Sequence, residues 1–74
     1  MNIKGKTITL DNSEQYVVMD TVNYANRNFV ILTKVIDNGN DVDSQIYIAE
    51  NTDTKITFVN DQIIIDEILR VFRG

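Results

Sequence analysis

The apolar residues change their spacing near residue 60, and this change constrains the fold more than any other feature of the sequence. Before it, short runs such as residues 7–10 (TITL) and 45–49 (QIYIA) alternate between the two sides of the chain, a pattern typical of β-strands. After it, apolar residues recur at the spacing of one helix face: Ile64, Ile65, Ile68, Leu69 and Phe72. The sequence therefore predicts several strands followed by one C-terminal helix.

Five segments are predicted as strands: residues 7–10, 16–24, 29–36, 45–49 and 56–58. The second and third carry apolar side chains on both faces, which indicates central positions in the sheet. Polar stretches separate the segments, as turns do. In the second strand, regular alternation places four residues on one face: Tyr16, Val18, Val22 and Tyr24.

The predicted fold class is α+β, with residues 1–74 forming a single small domain. We expect a twisted antiparallel meander sheet of about five short strands, with the C-terminal helix packed on one face. Asn60 or Asp61 is a suitable N-cap for that helix. The expected sheet partners of the helix, or their neighbours along the pleat, are Ile8, Leu10, Val18, Ile31, Ile46 and Phe58. The pattern leaves open which face of the central strands meets the helix.

The segment DTVNYANRNFVIL, residues 20–32, places a short polar stretch between two strands. Consecutive antiparallel strands joined this closely need a tight turn with positive φ, which Asn tolerates better than most residues. We therefore predict positive φ at Asn26. Arg27 and Asn28 are then expected to be solvated turn residues, with Tyr24 and Phe29 flanking the turn across the ladder.

The order of these signals resembles the YrzB-like family of small acidic bacterial proteins. The resemblance is carried by residues 16–22 (YVVMDTV) and 24–32 (YANRNFVIL), where the family has strands separated by Asp-Thr and by Tyr-x-Gly-Lys-x-Tyr. This chain differs in having Asn26 at the usual Gly and a less acidic helix. The resemblance implies a variable acidic loop, two more strands and a C-terminal helix. The family has no known function, so the resemblance implies no catalytic residues.

Few residues suited to catalysis are present. The chain contains no His and no Cys, which removes the usual general base near neutral pH and the thiolate ligands and nucleophiles. Ser13 and Ser44 fall in predicted turns without a base nearby, and Asp66 and Glu67 point about 100° apart on a helix. We therefore predict that the protein is not an enzyme and binds no cofactor.

The segment DNGNDVDS, residues 37–44, is predicted to be an acidic loop. Asp37, Asp41 and Asp43 could converge on Ca²⁺, but Gly39 stands where the EF-hand pattern needs an acid or amide, and no bidentate Glu follows. We therefore expect no metal site. The three aspartates are instead predicted to contact a protein partner.

Eleven acidic and seven basic residues give a net charge of −4. This balance disfavours direct nucleic-acid binding, which needs a basic face to neutralise phosphates. No apolar run approaches the roughly 20 residues of a membrane span, and no apolar segment follows residues 1–6 as in a secretory signal. The expected partners therefore exclude nucleic acid and membrane, and the expected location is the cytoplasm.

The function predicted from these features is a non-enzymatic protein-binding or adaptor module with an unknown partner. Edge strands and an acidic loop are features that such a module can use for contacts. An alternative hypothesis is a phage or mobile-element inhibitor, whose acidic surface blocks a nucleic-acid-binding protein of the host or of a defence system. Small size and acidity permit this alternative, but the acids are scattered along the sequence.

Ile63 is the one apolar residue of the C-terminal segment that falls among its polar positions. Either it folds back onto the sheet edge or it is exposed. A small domain with unpaired sheet edges gains stability by burying such features in a symmetric dimer. We therefore predict a weak homodimer that uses Ile63 or an edge strand.

Overall fold

The computed structural model describes residues 5–10 and 12–74, with the side chain of Asp37 outside that description. The predicted α+β fold is confirmed. Five antiparallel strands follow one another across the sheet in meander order, and one helix follows β5. The elements are β1 (Thr7–Thr9), β2 (Gln15–Tyr24), β3 (Arg27–Ile36), a 3-10 turn (Asp37–Gly39), β4 (Asp41–Asn51), β5 (Ile56–Phe58) and α1 (Gln62–Arg73).

The sheet has two apolar faces, each with its own group of buried side chains. The first group, here called the helix cluster, lies under α1 and contains Val22, Phe29, Ile31, Ile48 and Ile68, with seven half-buried neighbours that include Ile46, Val59 and Ile65. The second, here called the inner cluster, lies on the other face and contains Leu10, Tyr16, Val18, Val30, Leu32 and Ala49, with Ile8, Tyr47, Ile56 and Phe58 packed against it.

Strand β3 separates the two clusters and settles which face meets the helix. Phe29 and Ile31 belong to the helix cluster, whereas Val30 and Leu32 belong to the inner cluster, and all four are fully buried. All five helix residues predicted to be core lie in the helix cluster. Of their expected partners, Ile31 and Ile46 are confirmed. The others lie in the inner cluster on the opposite face, which decides a choice that the sequence pattern left open: Ile8, Leu10, Val18 and Phe58.

A β-bulge in β2 corrects the predicted arrangement of its side chains. Val18 pairs with Leu32 and Asp20 pairs with Ile31, so Met19 is an extra residue between them. An inserted residue reverses the side-chain alternation that follows it. Tyr16 and Val18 therefore face the inner cluster while Val22 faces the helix cluster, and the predicted single face is wrong.

Among the described residues, no helix lies over the inner cluster, which is closed by the curl of the sheet itself. Tyr16 of β2 meets Phe58 of β5 edge to face, with ring centroids 5.5 Å apart. It meets Tyr47 of β4 in the same geometry at 5.5 Å. Such contacts join strands that are not neighbours in the sheet. Aromatic pairs of this kind add about 0.5–1.5 kcal/mol each beyond the area they bury.

The β2–β3 hairpin confirms the prediction for Asn26, which has φ of 62°. Ala25 also has positive φ, at 53°, and two such residues in succession form the type I′ turn that matches the twist of a hairpin. The predicted flanking pair is wrong, because Tyr24 pairs with Arg27 and Val22 pairs with Phe29. Arg27 and Asn28 begin β3 and are not turn residues.

The predicted loop at residues 37–44 is also wrong in part, because β4 begins at Asp41. The chain turns through Asp37–Gly39, and Ile36 then pairs with Asp41 and Val35 with Val42. The register shifts before Thr33 pairs with Ile46. Exposed polar residues do not prevent strand pairing, because the ladder is made by the main chain. Half of the acidic segment, residues 41–44, is therefore strand.

Helix α1 begins at the predicted N-cap. The Oδ1 atom of Asp61 accepts a hydrogen bond from the amide of Ile63 at 2.9 Å, which satisfies one of the free donors at a helix start. In its middle, Glu67 accepts a hydrogen bond from the Tyr24 hydroxyl at 3.3 Å. The helix is thus fixed to the sheet by apolar contacts along its length and by a polar contact to β2.

Candidate binding site

Strand β5 covers only part of the outer side of β4. Its ladder pairs residues 49–51 of β4, from Ala49 to Asn51, and the amide of Val59 adds a hydrogen bond to the Ile48 carbonyl at 3.0 Å. Strand β4 extends back a further seven residues, from 47 to 41. Within the part of the chain that the structure describes, no strand pairs with these seven residues on the side away from β3.

The main chain of Ile46 points toward this uncovered side. The Ile48 carbonyl bonds to Val59 of β5, so the Ile48 main-chain groups point away from β3, where Ile31 lies opposite. Main-chain groups alternate in direction along an antiparallel strand. Ile46, two residues earlier and opposite Thr33, therefore directs its N–H and C=O to the same uncovered side. It offers one donor and one acceptor to an added strand.

A concave site adjoins this edge, and we call it the edge notch. It has a volume of about 360 Å³ and is lined by Gln45, Ile46, Tyr47, Ile48, Phe58, Val59, Asn60 and Ile65. Tyr47 and Phe58 come from the inner cluster and Ile46, Val59 and Ile65 from the helix cluster. The notch thus opens where the two faces of the sheet meet its edge.

The notch exists because the chain leaves the sheet early. After Val59 the next possible partners of β4 would be Asn60 and Asp61, but Asp61 caps α1 and starts the helix. The helix then crosses to one face of the sheet, where Ile65 packs in the helix cluster. Half-buried apolar side chains are consequently left beside an unpaired strand.

A larger depression, of about 700 Å³, lies between the β1–β2 and β3–β4 connections. Its walls are mostly polar, and an ion pair between Lys34 and Glu14 at 3.7 Å lies within it. Binding pockets are usually apolar with a few placed polar groups. The edge notch meets that description better despite its smaller size.

Two of the predicted contact residues, Asp41 and Asp43, make hydrogen bonds within the chain, and their contact with a protein partner stays a prediction. Asp41 accepts a hydrogen bond from the amide of Val42 at 2.8 Å, and Asp43 accepts one from the amide of Gln45 at 3.3 Å. Both carboxylates thus satisfy main-chain donors of β4 beside its register shift. The side chain of Asp37 lies outside the described part of the structure, so its predicted role as a contact stays a prediction.

Among the described residues, β2 also has a stretch of edge without a partner strand, and a carboxylate bonds its main chain there. Strand β1 pairs β2 along residues 15–17, and β2 continues to Tyr24. There the amide of Thr21 donates to Oδ1 of the preceding Asp20 at 2.8 Å. A donor bonded by its own neighbouring carboxylate is less available to an added strand. The main chain of Ile46 is therefore more accessible than that of Thr21.

Ile63 is exposed, with 75% of its surface accessible. The alternative that it folds back onto the sheet edge is therefore wrong. Successive helix residues are about 100° apart, so Ile63 projects some 200° away from Ile65, which lines the notch. Ile63 and the notch are separate features of the surface.

Arg27 makes a contact that the sequence did not reveal. Its Nε and one terminal nitrogen donate to the two carboxylate oxygens of Glu50 at 2.9 and 2.7 Å, and its guanidinium lies 5.1 Å from the Phe29 ring centroid. The hydrogen bonds from Arg27 hold the pKa of Glu50 below its usual value. This pair links β3 to β4 at the sheet surface and does not line the notch.

Within residues 5–10 and 12–74, no group of three His, Cys, Asp or Glu side chains is arranged to hold a metal ion. Helix α1 has twelve residues, and no helix in the described ranges is long and apolar enough to cross a membrane. What the notch offers chemically is main-chain hydrogen bonding and apolar contact.

The sequence did not identify the residues of the notch, because Ile46 and Phe58 are predicted as core partners of the helix. A usable signal was the difference in length between neighbouring strands. Strand β5 was predicted at three residues beside a β4 segment of five, so part of β4 had to lack a partner on that side.

Comparisons with protein-family models, with curated proteins and with solved structures find no match. The resemblance to the YrzB-like family therefore stays a prediction.

Proposed function

We propose that this protein is a non-enzymatic binding module that accepts an extended segment of a partner protein along the β4 edge. The observation that carries the proposal is the outward-pointing main chain of Ile46 beside the apolar edge notch. A cytoplasmic location in a bacterium or phage-infected cell is part of the same proposal.

Strand addition suits this geometry. An extended peptide that joins a sheet edge gains main-chain hydrogen bonds, and a neighbouring pocket that receives its alternate side chains provides specificity. At Ile46 the edge supplies both a donor and an acceptor, and the notch supplies half-buried side chains on either side of the sheet. The register shift beside Asp43 limits regular pairing to a short stretch.

The alternative of an acidic inhibitor is less well supported. Most acidic side chains in the described residues already have partners within the chain. Glu50, Glu67 and Glu14 are paired with basic side chains, while Asp20, Asp41, Asp43 and Asp61 bond main-chain amides and Asp66 accepts from Gln62. A phosphate mimic instead needs a row of carboxylates free to meet a basic groove.

The proposed function can be tested with random peptides displayed on a library and selected on the purified protein. We expect enriched peptides to bind the wild type and Ile46→Ala, which keeps the amide, but not Ile46→Pro, which removes the donor. Thr9→Pro is the matched control and should leave peptide binding intact. Thr9 lies in the edge strand β1. Because the Lys6 carbonyl accepts a hydrogen bond from Val18 of β2 and main-chain groups alternate in direction, the Thr9 amide points away from β2.

Peptide binding that Ile46→Pro leaves intact would contradict the proposal, as would the failure to enrich any peptide. Amide chemical shifts supply a second readout in case Ile46→Pro destabilises the fold. On titration of the wild type with a selected peptide, the largest changes should fall at Ile46 and its neighbours. Changes concentrated at β1 would place the site elsewhere.

A weak homodimer remains a separate proposal, supported by the 75% exposure of Ile63. Sedimentation across a concentration series, with Ile63→Asp as the comparison, tests it. A dimer abolished by Ile63→Asp would assign the interface to the start of α1. A chain that stays monomeric at high micromolar concentration would refute the dimer.

A further inference from the structure

The apolar walls of the edge notch come from both faces of the sheet. On the helix-cluster side they are Ile46, Ile48, Val59 and Ile65. On the inner-cluster side they are Tyr47 and Phe58. All of these except Ile48 are half-buried, so part of each apolar surface stays accessible. A segment added at this edge therefore meets apolar side chains on both of its faces, whereas a sheet with one solvated face would offer them on only one.

The main chain of Ile46 fixes the position of an added strand. The residue aligned with Ile46 has its side chain on the same face of the sheet, and the residues before and after it have theirs on the opposite face. The aligned side chain therefore lies on the side of Ile46 and Ile65, and the next side chain toward β5 lies on the side of Tyr47. Two adjacent residues of the added strand thus enter opposite halves of the notch.

The stretch of β4 before Ile46 offers little to extend the site. The β3–β4 ladder shifts its register between Val42 and Ile46, and the Gln45 amide already donates to Asp43. Gln45 and Asn60, the polar residues that line the notch, are both exposed. Main-chain bonding is therefore confined to a few groups, each of which replaces a bond to water and adds little net affinity. Apolar contact has to supply most of the binding free energy.

We infer that the edge notch selects an extended segment of another protein in which two adjacent residues are apolar. This inference rests on the proposed function. One of the two side chains lies against Ile46 and Ile65, and the other lies against Tyr47 and Phe58. The notch volume of about 360 Å³ is near the lower end of the range for binding pockets, which suits two side chains better than a folded surface.

The size of the notch disfavours a second copy of this chain as the occupant. Eight residues line the notch, whereas a stable protein interface engages roughly 20–30 residues on each side. Two copies paired along β4 would also need a regular ladder through residues 42–45, where the register shifts and the Val42 and Gln45 amides bond to aspartate side chains. A short extended segment needs neither.

The test compares two short synthetic peptides of identical composition. In the first, one leucine and one valine are adjacent within a run of threonine and serine. In the second, one threonine separates them, so both side chains lie on the same face of the strand. We expect the first peptide to bind the wild type about tenfold more tightly in an amide chemical-shift titration, because only this peptide buries an apolar side chain in each half of the notch.

Matched variants assign the preference to the two walls. Tyr47→Ala removes the inner-cluster wall and should reduce the tenfold preference to about twofold. Ile56→Ala is its control and should keep the preference, because Ile56 is half-buried in the same cluster but does not line the notch. Ile65→Ala, with Ile64→Ala as its control, tests the helix-cluster wall in the same way.

The ratio of the two affinities is independent of how stable each variant is. Unfolded protein lowers the apparent affinity for both peptides by the same factor, so the ratio reports only the shape of the folded site. Intermolecular nuclear Overhauser effects in the wild type give a second readout. We expect one apolar side chain of the first peptide near the Tyr47 ring and the other near the Ile65 methyl groups. Contacts of both side chains with one wall would overturn the inference.

The outcomes separate this inference from the function on which it rests. Equal binding of the two peptides, with both lost in Ile46→Pro, would overturn the preference for adjacent apolar residues and keep strand addition. Binding of neither peptide, together with a library selection that enriches none, would overturn both. Self-association of the protein that Ile46→Pro abolishes would show that a second copy occupies the notch, which also overturns the inference.

Discussion

The two faces of the sheet are covered by different means. The helix cluster is closed by a separate element, α1, which is joined to β5 by a short connection and contributes Ile68 as its fully buried residue. The inner cluster is closed by the curl of the sheet, with Tyr16, Tyr47 and Phe58 in contact across it. One face thus depends on docking, and the other depends on the strand ladders themselves.

This difference predicts how each face responds to damage. A docked helix is free to shift slightly when a side chain beneath it is removed. A curled sheet has less freedom, because hydrogen bonds fix the position of every strand relative to its neighbours. A cavity should therefore destabilise the face closed by the sheet more than the face closed by the helix. The helix cluster, in turn, should lose its packing entirely if α1 is removed.

The largest effect is expected on removing residues 61–74. Without α1, Phe29 and Ile31 would be exposed to water on one face of a sheet that has little stability to spare. We expect thermal unfolding followed by circular dichroism to lose its cooperative transition.

Val71→Ala is the matched control, because Val71 lies on the exposed side of α1 and its truncation should matter little. If the shortened chain melts sharply near the wild-type temperature, α1 is an appendage and the dependence of this face on docking is wrong.

Substitutions at two neighbouring residues of β3 allow the stability contributions of the two faces to be compared directly. Ile31 and Leu32 are both fully buried, one in each cluster. Truncating either to alanine should cost about 2–5 kcal/mol, with a larger cost where the surroundings relax less. We expect Leu32→Ala to exceed Ile31→Ala by about 1 kcal/mol in urea unfolding. The reverse order would show that the helix relaxes less than the curled sheet.

The β2–β3 turn affects both faces, since its strands contribute to both clusters. Asn26→Val should cost about 1–2 kcal/mol, because a β-branched residue is strained at positive φ. Asn26→Gly should be neutral or stabilising, and Ala25→Gly should stabilise by about 0.5 kcal/mol since Ala25 also has positive φ. Chemical denaturation measures all three variants. A destabilised Ala25→Gly would contradict the strain assigned to that residue.

The smallest effect concerns the Arg27–Glu50 pair on the sheet surface. The folded pKa of Glu50 is depressed by Arg27, so the pair contributes stability above the pKa of an unfolded glutamate. That contribution is lost as the pH falls through the lower folded pKa. The stability difference between the wild type and Glu50→Gln should therefore shrink on acidification below about pH 4. A difference that stays constant with pH would show that the charge of Glu50 contributes nothing.

The fold was predictable from the sequence because side-chain spacing reports secondary structure directly. The meander order, the five apolar residues of α1 and the positive φ of Asn26 all follow from local signals. The faces of β2 did not follow, since the bulge at Met19 is selected by the pairing with β3 and has no marker in the sequence. Periodicity cannot reveal a residue that the partner strand leaves unpaired.

The acidic segment illustrates a second limit. Its polar residues predicted a loop, yet Asp41 pairs with Ile36 and Val42 with Val35, beyond a register shift in the β3–β4 ladder. Strand propensity reflects packing against neighbours more than any preference of the backbone, and this hairpin end has few neighbours. The same lack of neighbours concealed the notch, whose residues appear in the sequence as ordinary core. The position at which β5 ends places Ile46 and Tyr47 at the sheet edge instead of in the interior.

The meander order has a consequence for how the chain folds. Every strand pairs with the strand that precedes it in sequence, so each step closes a short loop, and short loops cost little entropy and close quickly. The tight turn at Ala25 and Asn26 favours β2 and β3 pairing first, and later strands can add in the order in which a ribosome delivers them. Helix α1 emerges after all five strands, so until it docks, the apolar face under it remains exposed on the nascent chain.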